Sequence, residues 1–292
     1  METLQGQVIS HLGKGIAVES AGEIVLCQTR RKLETVAVGD KVLFIPATHG
    51  QGRIEEILPR RSLLSRPSKG AKVRPVAANI DKIYVVFATE PYCDFLLIDQ
   101  YLAICENHNI DAILVFNKQD LPIVAKIEQE LSIYQGLNYG LHKVSATHNR
   151  GLDELKAALK NQVSIFAGQS GVGKSSLTNA LLPEKNLKTN TVSEITKHGR
   201  HTTTAATLYH LPEGGDLIDS PGVAIFGLAG LNEGQLAQGY REFQPFIEQC
   251  QFHNCRHVKD KGCAVRAAAE NGDISLSRYQ RFLKLREKMP TD

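Results

Sequence analysis

The chain has 292 residues, 42% of them apolar and 22% charged, which excludes a disordered or fibrous chain and leaves room for two or three domains. Its longest unbroken apolar run, Ile83 to Ala88, is six residues. A membrane-spanning helix needs roughly 18, and no basic stretch followed by an apolar core opens the sequence, so a cytoplasmic location without membrane contact is expected. The net charge of +3 is uneven. Residues 1–79 carry 12 Lys/Arg against 7 Asp/Glu, residues 80–228 carry 12 against 16, and residues 229–292 carry 10 against 8. A polyanion would be gripped from the flanks.

The chain begins with five short strand candidates at Gln7–Ile9, Gly15–Val18, Ile24–Cys27, Lys41–Ile45 and Arg53–Ile57, separated by glycine-containing turns. That spacing predicts a small barrel of the oligonucleotide-binding (OB) kind, with an SH3-like barrel as the look-alike. Residues 59–79 hold Arg60, Arg61, Arg66, Lys69, Lys72 and Arg74 without an acid, and read as a linker. From Asp81 the pattern becomes apolar strands alternating with helices. Strands are expected at Lys82–Ala88, Ala112–Phe116, His142–Ser145, Val163–Ala167 and Asp216–Ile218, and helices at Phe95–Asn107, Ile123–Gly136, Leu152–Leu159 and Lys174–Leu182. Such alternation predicts a parallel sheet covered on both faces, with ligands at the carboxyl ends of its strands.

The strand Val163–Ala167 runs into Gly168-Gln169-Ser170-Gly171-Val172-Gly173-Lys174-Ser175, followed by Ser176. This fits G-x-x-x-x-G-K-[ST] between a strand and a helix, where the glycines let successive N–H groups face a phosphate. Lys174 is expected to reach the β- and γ-phosphates, and the Ser175 hydroxyl to bind Mg²⁺. Asn117-Lys118-Gln119-Asp120 ends the strand Ala112–Phe116. There Asp120 can accept from guanine N1–H and the exocyclic amine, Asn117 can bond the other edge, and the Lys118 stem can cover the ring. Mismatched bases would leave buried polar groups unpaired. Ser145-Ala146-Thr147 can offer a backbone N–H to guanine O6.

Asp219-Ser220-Pro221-Gly222 fits D-x-x-G, with Asp219 expected on Mg²⁺ through water and the Gly222 N–H sensing the γ-phosphate. Between it and the phosphate loop lies Gly199-Arg200-His201-Thr202-Thr203-Thr204. Thr203, or Thr202 beside it, would close on Mg²⁺. Ordinary GTPases run phosphate loop, switch threonine, D-x-x-G, N-K-x-D, S-A-x. This chain carries the same parts in a circularly permuted order, and its second switch exits directly into residues 229–292. Val223 stands where Ras-type enzymes hold the glutamine that orients water. Hydrolysis therefore needs another group, His201 first and Arg200 second, unless the nucleotide only locks a conformation.

Cys27, Cys93 and Cys105 lie singly in apolar segments and read as core thiols. Cys250-x₄-Cys255-x-His257-x₅-Cys263 offers three thiolates and an imidazole, a sufficient set for structural tetrahedral Zn²⁺, with His253 competing for the fourth place. Beyond it, Leu276, Tyr279 and Leu283 recur at helical spacing, which predicts an outer face bearing Arg278, Arg281, Lys284 and Lys288 for RNA phosphate.

The permuted motif order, the barrel before it and the cysteine–histidine cluster behind it together resemble the bacterial ribosome small subunit-dependent GTPases of the RsgA type, over essentially the whole chain. The resemblance implies an OB-fold over residues 1–66, a circularly permuted α/β G domain over 67–228 and a mostly helical zinc domain over 229–292. It further implies GTP hydrolysis to GDP in late maturation of the 30S subunit, 16S rRNA contacts mainly from the flanks, and weak intrinsic activity stimulated by the 30S particle. It favours Cys250, Cys255, His257 and Cys263 as the zinc ligands and His201 as the hydrolytic residue. Nothing in the sequence requires more than a monomer.

Overall fold

Alternating apolar residues in the first 57 positions close a barrel. The computed structural model describes residues 3–13, 15–48, 50–67, 73–182, 206–219, 228 and 231–289. In it β1 (Leu4–Leu12), β2 (Gly15–Ser20), β3 (Glu23–Thr29), β4 (Lys41–Pro46) and β5 (Gln51–Ile57) take the order β1-β2-β3-β5-β4, and β4 pairs back onto β1. The β3–β5 pair is parallel and the others antiparallel. This is the OB arrangement. Val8, Val18, Cys27, Val42, Phe44 and Ile54 fill the interior with no exposed surface, each side chain of the larger ones contributing about 1.5–3 kcal/mol on burial.

The basic segment that follows is not simply a linker. β6 (Leu63–Pro67) and β7 (Val73–Ala78) form a hairpin with Arg66 opposite Arg74, so a boundary at residue 66 falls inside paired strands. Leu64 and Ala77 are buried while Arg66 and Arg74 face solvent. Arg60 is bound by the buried Asp40 at 2.7 Å and Arg61 by Asp81 at 2.6 Å. A run of cations with proline looks alike in a tether and on the solvent side of a short ladder, which is why the sequence misleads here.

The second sheet is built from β8 (Lys82–Phe87), β9 (Asp111–Phe116), β10 (Gly140–Lys143), β11 (Val163–Ala167), β12 (Thr207–His210) and β13 (Asp216–Asp219), in the order β10-β9-β8-β11-β13-β12. All pairs are parallel except β12–β13. Period two decides what each face carries. Ile83, Val85 and Phe87 of β8 join the core under α1 (Phe95–Asn107) and α2 (Ala125–Gly136), whereas Tyr84 and Val86 join the core under α3 (Leu152–Leu159) and α4 (Lys174–Leu181). α1 starts at Asp94, whose carboxylate accepts from the N–H groups of Leu96 and Leu97. β12, unmarked in the sequence, borders the barrel, where Ser10 of β1 pairs with Thr207. Beside this seam His210 sits between Asp216 and Glu19, the latter on β2.

The C-terminal part packs α5 (Glu233–Gln238) and α6 (Ala264–Asn271) each against α7 (Leu276–Glu287), with α5 and α7 also lying on α1. Here the expected face of α7 is met only in part: Tyr279 lies inward and Leu283 packs against the core, but two arginines turn inward and Leu276 turns out. Arg278 is 1% exposed and paired with Asp99 and Glu242, Arg281 is paired with Asp99 and Glu130, and Leu276 is 54% exposed. The inward face is Arg278, Tyr279, Phe282 and Leu285. Arginine counts as a surface residue in a hydrophobic pattern, yet two carboxylates per guanidinium let it be buried. Lys284 and Lys288 remain outside. Among the described residues, no helix is long and apolar enough to cross a membrane.

Candidate nucleotide site and metal centre

Parallel strands deliver their carboxyl ends to one edge, so β9, β10, β11 and β13 place Asn117, Ser145, Gly168 and Asp219 along the same side of the sheet. The turn after β11 needs its glycines. Gly168 has φ 141°, and a Cβ on it would lie 2.0 Å from the Val86 carbonyl oxygen. Gly173 has φ 96°, and a Cβ there would lie 2.3 Å from Asn117 Nδ2. Only a residue without a side chain fits either place. Gln169 is half-buried, Ser170 and Gly171 are exposed, Val172 is buried, and the exposed Ser175 and Ser176 lie in the first turn of α4. Lys174 Nζ curls back over the loop and donates to the carbonyls of Gly168 (2.7 Å) and Gln169 (2.8 Å). Burial lowers its pKa and the negative charge of Asp219 opposes that shift.

The base-reading motif is tied to this loop by side chains. Asn117 Nδ2 donates to the Val172 carbonyl at 2.9 Å, while Asn117 Oδ1 accepts from the Ala146 N–H at 3.2 Å. The carboxamide thus joins three separate segments, and Nδ2 keeps a second hydrogen. Lys118, at φ 60°, stretches its Nζ to the Glu90 carbonyl at 2.8 Å, and the Gln119 N–H donates to the Val144 carbonyl. Asp120 accepts from the Ser145 hydroxyl, and that bond first, with the charges of His148 and Arg150 adding, holds its carboxyl below the usual range. The sequence reading does not single out His148 or Glu90. Glu90 acts through its carbonyl, which leaves no residue-type signal. His201, Thr202, Thr203, Gly222 and Val223 lie outside the described residues.

In the C-terminal part, Cys250, Cys255, His257 and Cys263 bring one ligand atom each within 4.8 Å of all the others. His257 turns Nδ1 towards Cys250 Sγ and Cys263 Sγ, each 3.6 Å away, and takes φ 58° to do so. His253 is exposed and outside the group. Tyr279 Oη braces the His257 carbonyl, and Cys263 Sγ caps α6 through the Arg266 N–H. Burial raises the thiols of Cys255 and Cys263 and lowers His257. A bound cation would reverse the thiol shifts by favouring thiolate. The four residues could hold a metal ion.

A family model described as RsgA GTPase matches residues 57–229. The chain belongs to the RsgA GTPase family. Its enzyme class is accordingly that of a GTP hydrolase. The small ribosomal subunit biogenesis GTPase RsgA of Hahella chejuensis is 43% identical across 98% of this chain and 84% of its own length. The protein of that name in Klebsiella pneumoniae is 44% identical, across 99% and 85%. Among solved structures, YjeQ from Thermotoga maritima superposes with a TM-score of 0.79 at 33% identity, covering 98% of each chain. YloQ, described as a circularly permuted GTPase, gives 0.74 at 25% identity over 100% of this chain and 98% of its own. For an RsgA-family chain the strand order around β11 is that permutation seen in the sheet: the phosphate-loop strand is the fourth of six in sequence and sits centrally in the sheet.

Proposed function

We propose that this chain hydrolyses GTP to GDP as a late maturation factor of the 30S ribosomal subunit; its relatives are named as GTPases of small ribosomal subunit biogenesis. In this reading Asp120 accepts from guanine N1–H and the exocyclic amine, and the Ala146 N–H faces O6. The loop Gly168–Ser175, with Ser176 behind it, cradles the phosphates. Lys174 leaves the loop carbonyls for the β- and γ-phosphate oxygens, to which its charge is better matched. Mg²⁺, when bound with GTP, offsets phosphate charge; Ser175, Thr203 and Asp219 are the residues to hold it, and the Gly222 N–H senses the γ-phosphate. His201 orients the attacking water, since Val223 has no polar group to do so. What supports the reading most is the Asn117 carboxamide, which locks the base motif, the phosphate loop and the Ser145-Ala146 turn into a single constellation.

Structural Zn²⁺ is the ion that three thiolates and an imidazole suit best, held by Cys250, Cys255, His257 and Cys263. Contacts to 16S rRNA come from exposed flank cations such as Arg66, Arg74, Lys284 and Lys288, because Arg278 and Arg281 are spent inside the protein. The protein works as a cytoplasmic monomer of three parts, the barrel, the G domain and residues 229–292, with the first boundary outside the β6–β7 hairpin rather than at residue 66. The decisive experiment is single-turnover GTP hydrolysis with and without purified 30S particles. Stimulation that His201→Ala abolishes, while GTP binding persists, is the expected result. No stimulation by 30S would instead assign the nucleotide the role of a conformational lock.

A further inference from the structure

The turn after β10 is closed on itself. The Ser145 N–H donates to the Arg150 carbonyl at 3.0 Å, and the Arg150 N–H donates to the Ser145 carbonyl at 3.1 Å. Within this closed turn His148 is folded back onto Ser145. Its Nδ1 lies 3.2 Å from Ser145 Oγ, 3.1 Å from Thr147 Oγ1 and 3.6 Å from Asp120 Oδ1, and its backbone N–H also donates to Ser145 Oγ.

Proton counting fixes the direction of the bond to Asp120. An ionised carboxylate only accepts, so the single hydroxyl hydrogen of Ser145 is committed to Asp120. Ser145 Oγ has two lone pairs left for the His148 N–H, the Thr147 hydroxyl at 3.3 Å and the imidazole, and the imidazole bonds to it only in the tautomer that carries Nδ1–H. In that tautomer the bonds form a directed chain, His148 Nδ1–H to Ser145 O–H to Asp120, in which each bond polarises the next. Its end is the carboxylate that must present both oxygens to guanine.

We propose that His148 is a positioning residue of the guanine pocket, holding the Ser145 hydroxyl on Asp120 and thereby sharpening selection for the guanine exocyclic amine. This rests on the reading of Asp120 as the base-selecting carboxylate. The histidine touches neither phosphate loop nor magnesium ligands, and its ring is half-exposed, so replacing it leaves the fold intact.

The test is calorimetric titration of the full chain with GDP and with inosine diphosphate, which lacks the exocyclic amine and makes one bond to Asp120 where GDP makes two. His148→Ala should weaken GDP about tenfold, the value of roughly one charge-assisted hydrogen bond, and inosine diphosphate severalfold less, so the ratio of the two affinities falls. His148→Asn, whose side-chain N–H can stand where Nδ1–H does, should restore the ratio. In a Ser145→Ala background, His148→Ala should have no further effect. An unchanged ratio in His148→Ala, or a full additional loss in the Ser145→Ala background, overturns the proposal. A wild-type chain that already binds both nucleotides equally would overturn the reading of Asp120 instead.

Discussion

Asn117 and Val172, 55 positions apart, are joined by a side-chain amide donating to a main-chain carbonyl at 2.9 Å inside the protein. The bond makes the base motif and the phosphate loop a single mechanical unit, and Gly173 is bare so that the amide can reach. Replacing Asn117 with Ala strands the Val172 carbonyl and frees the loop. We expect GDP affinity to fall at least about tenfold and stability of the ligand-free protein to drop by about 1–3 kcal/mol, as read by titration calorimetry and urea unfolding. Loss of affinity with no loss of stability would confine Asn117 to base contact.

The seam between barrel and sheet carries a charge switch. His210 is raised to about 9, mainly by its bond to Asp216, with Glu19 adding and burial opposing. A group whose folded pKa is raised stabilises fully below its unfolded value near 6.5 and loses that contribution as pH climbs through about 9. Because the ring is partly exposed, the loss should be on the order of 1 kcal/mol after screening. Urea midpoints between pH 6 and 10 should decline more steeply in the wild type than in His210→Gln.

The cysteine–histidine centre should govern the order of residues 250–263. Purified protein is expected to carry a single zinc per chain by metal analysis. Chelation, or Cys255→Ser, should remove it and expose the peptide bonds after Arg256 and Lys259 to trypsin while GDP binding is kept. Cys263 also caps α6, so Cys263→Ala should cost about 1 kcal/mol more than Cys255→Ser. Resistance to trypsin in the metal-free protein would show that the chain orders itself.

The buried arginines give a sharper contrast. Arg278→Met leaves Glu242 without its partner in an almost dry interior and should cost about 3 kcal/mol. Lys284→Ala, six positions along the same helix but exposed, should stay within about 0.5 kcal/mol. Differential unfolding curves of the two variants test this directly.

Much of this molecule is legible before any coordinates. α1 and α3 occupy the residues that apolar periodicity assigns them, and the five barrel strands differ from expectation by a few end residues. Local signals suffice where one face is apolar and a capping Asp94 or a glycine marks the end. They fail at β12, four residues long and defined by its neighbours, and at β6–β7, where cations disguise a ladder. They misplace the arginines of α7, because the partner that permits Arg278 to be buried, Asp99, lies 179 positions away. At the metal cluster spacing leaves His253 and His257 equivalent; a left-handed backbone at His257 and its turn towards the sulfurs separate them. At the candidate nucleotide site the motifs stand out in the sequence, but the bracing of one by another does not, since nothing in a linear pattern says that an asparagine will spend its amide on a carbonyl of a distant loop.

The pairing of Ser10 with Thr207 makes the N-terminal barrel a guard rail as well as a separate part. Cut away, it would leave β12 as a bare outer strand with open amides and carbonyls, an invitation to intermolecular stacking. Proteins shortened to the nucleotide-binding core should therefore clump where the intact chain stays dispersed, and the same seam lets any force on the barrel arrive at the strand that ends in Asp219.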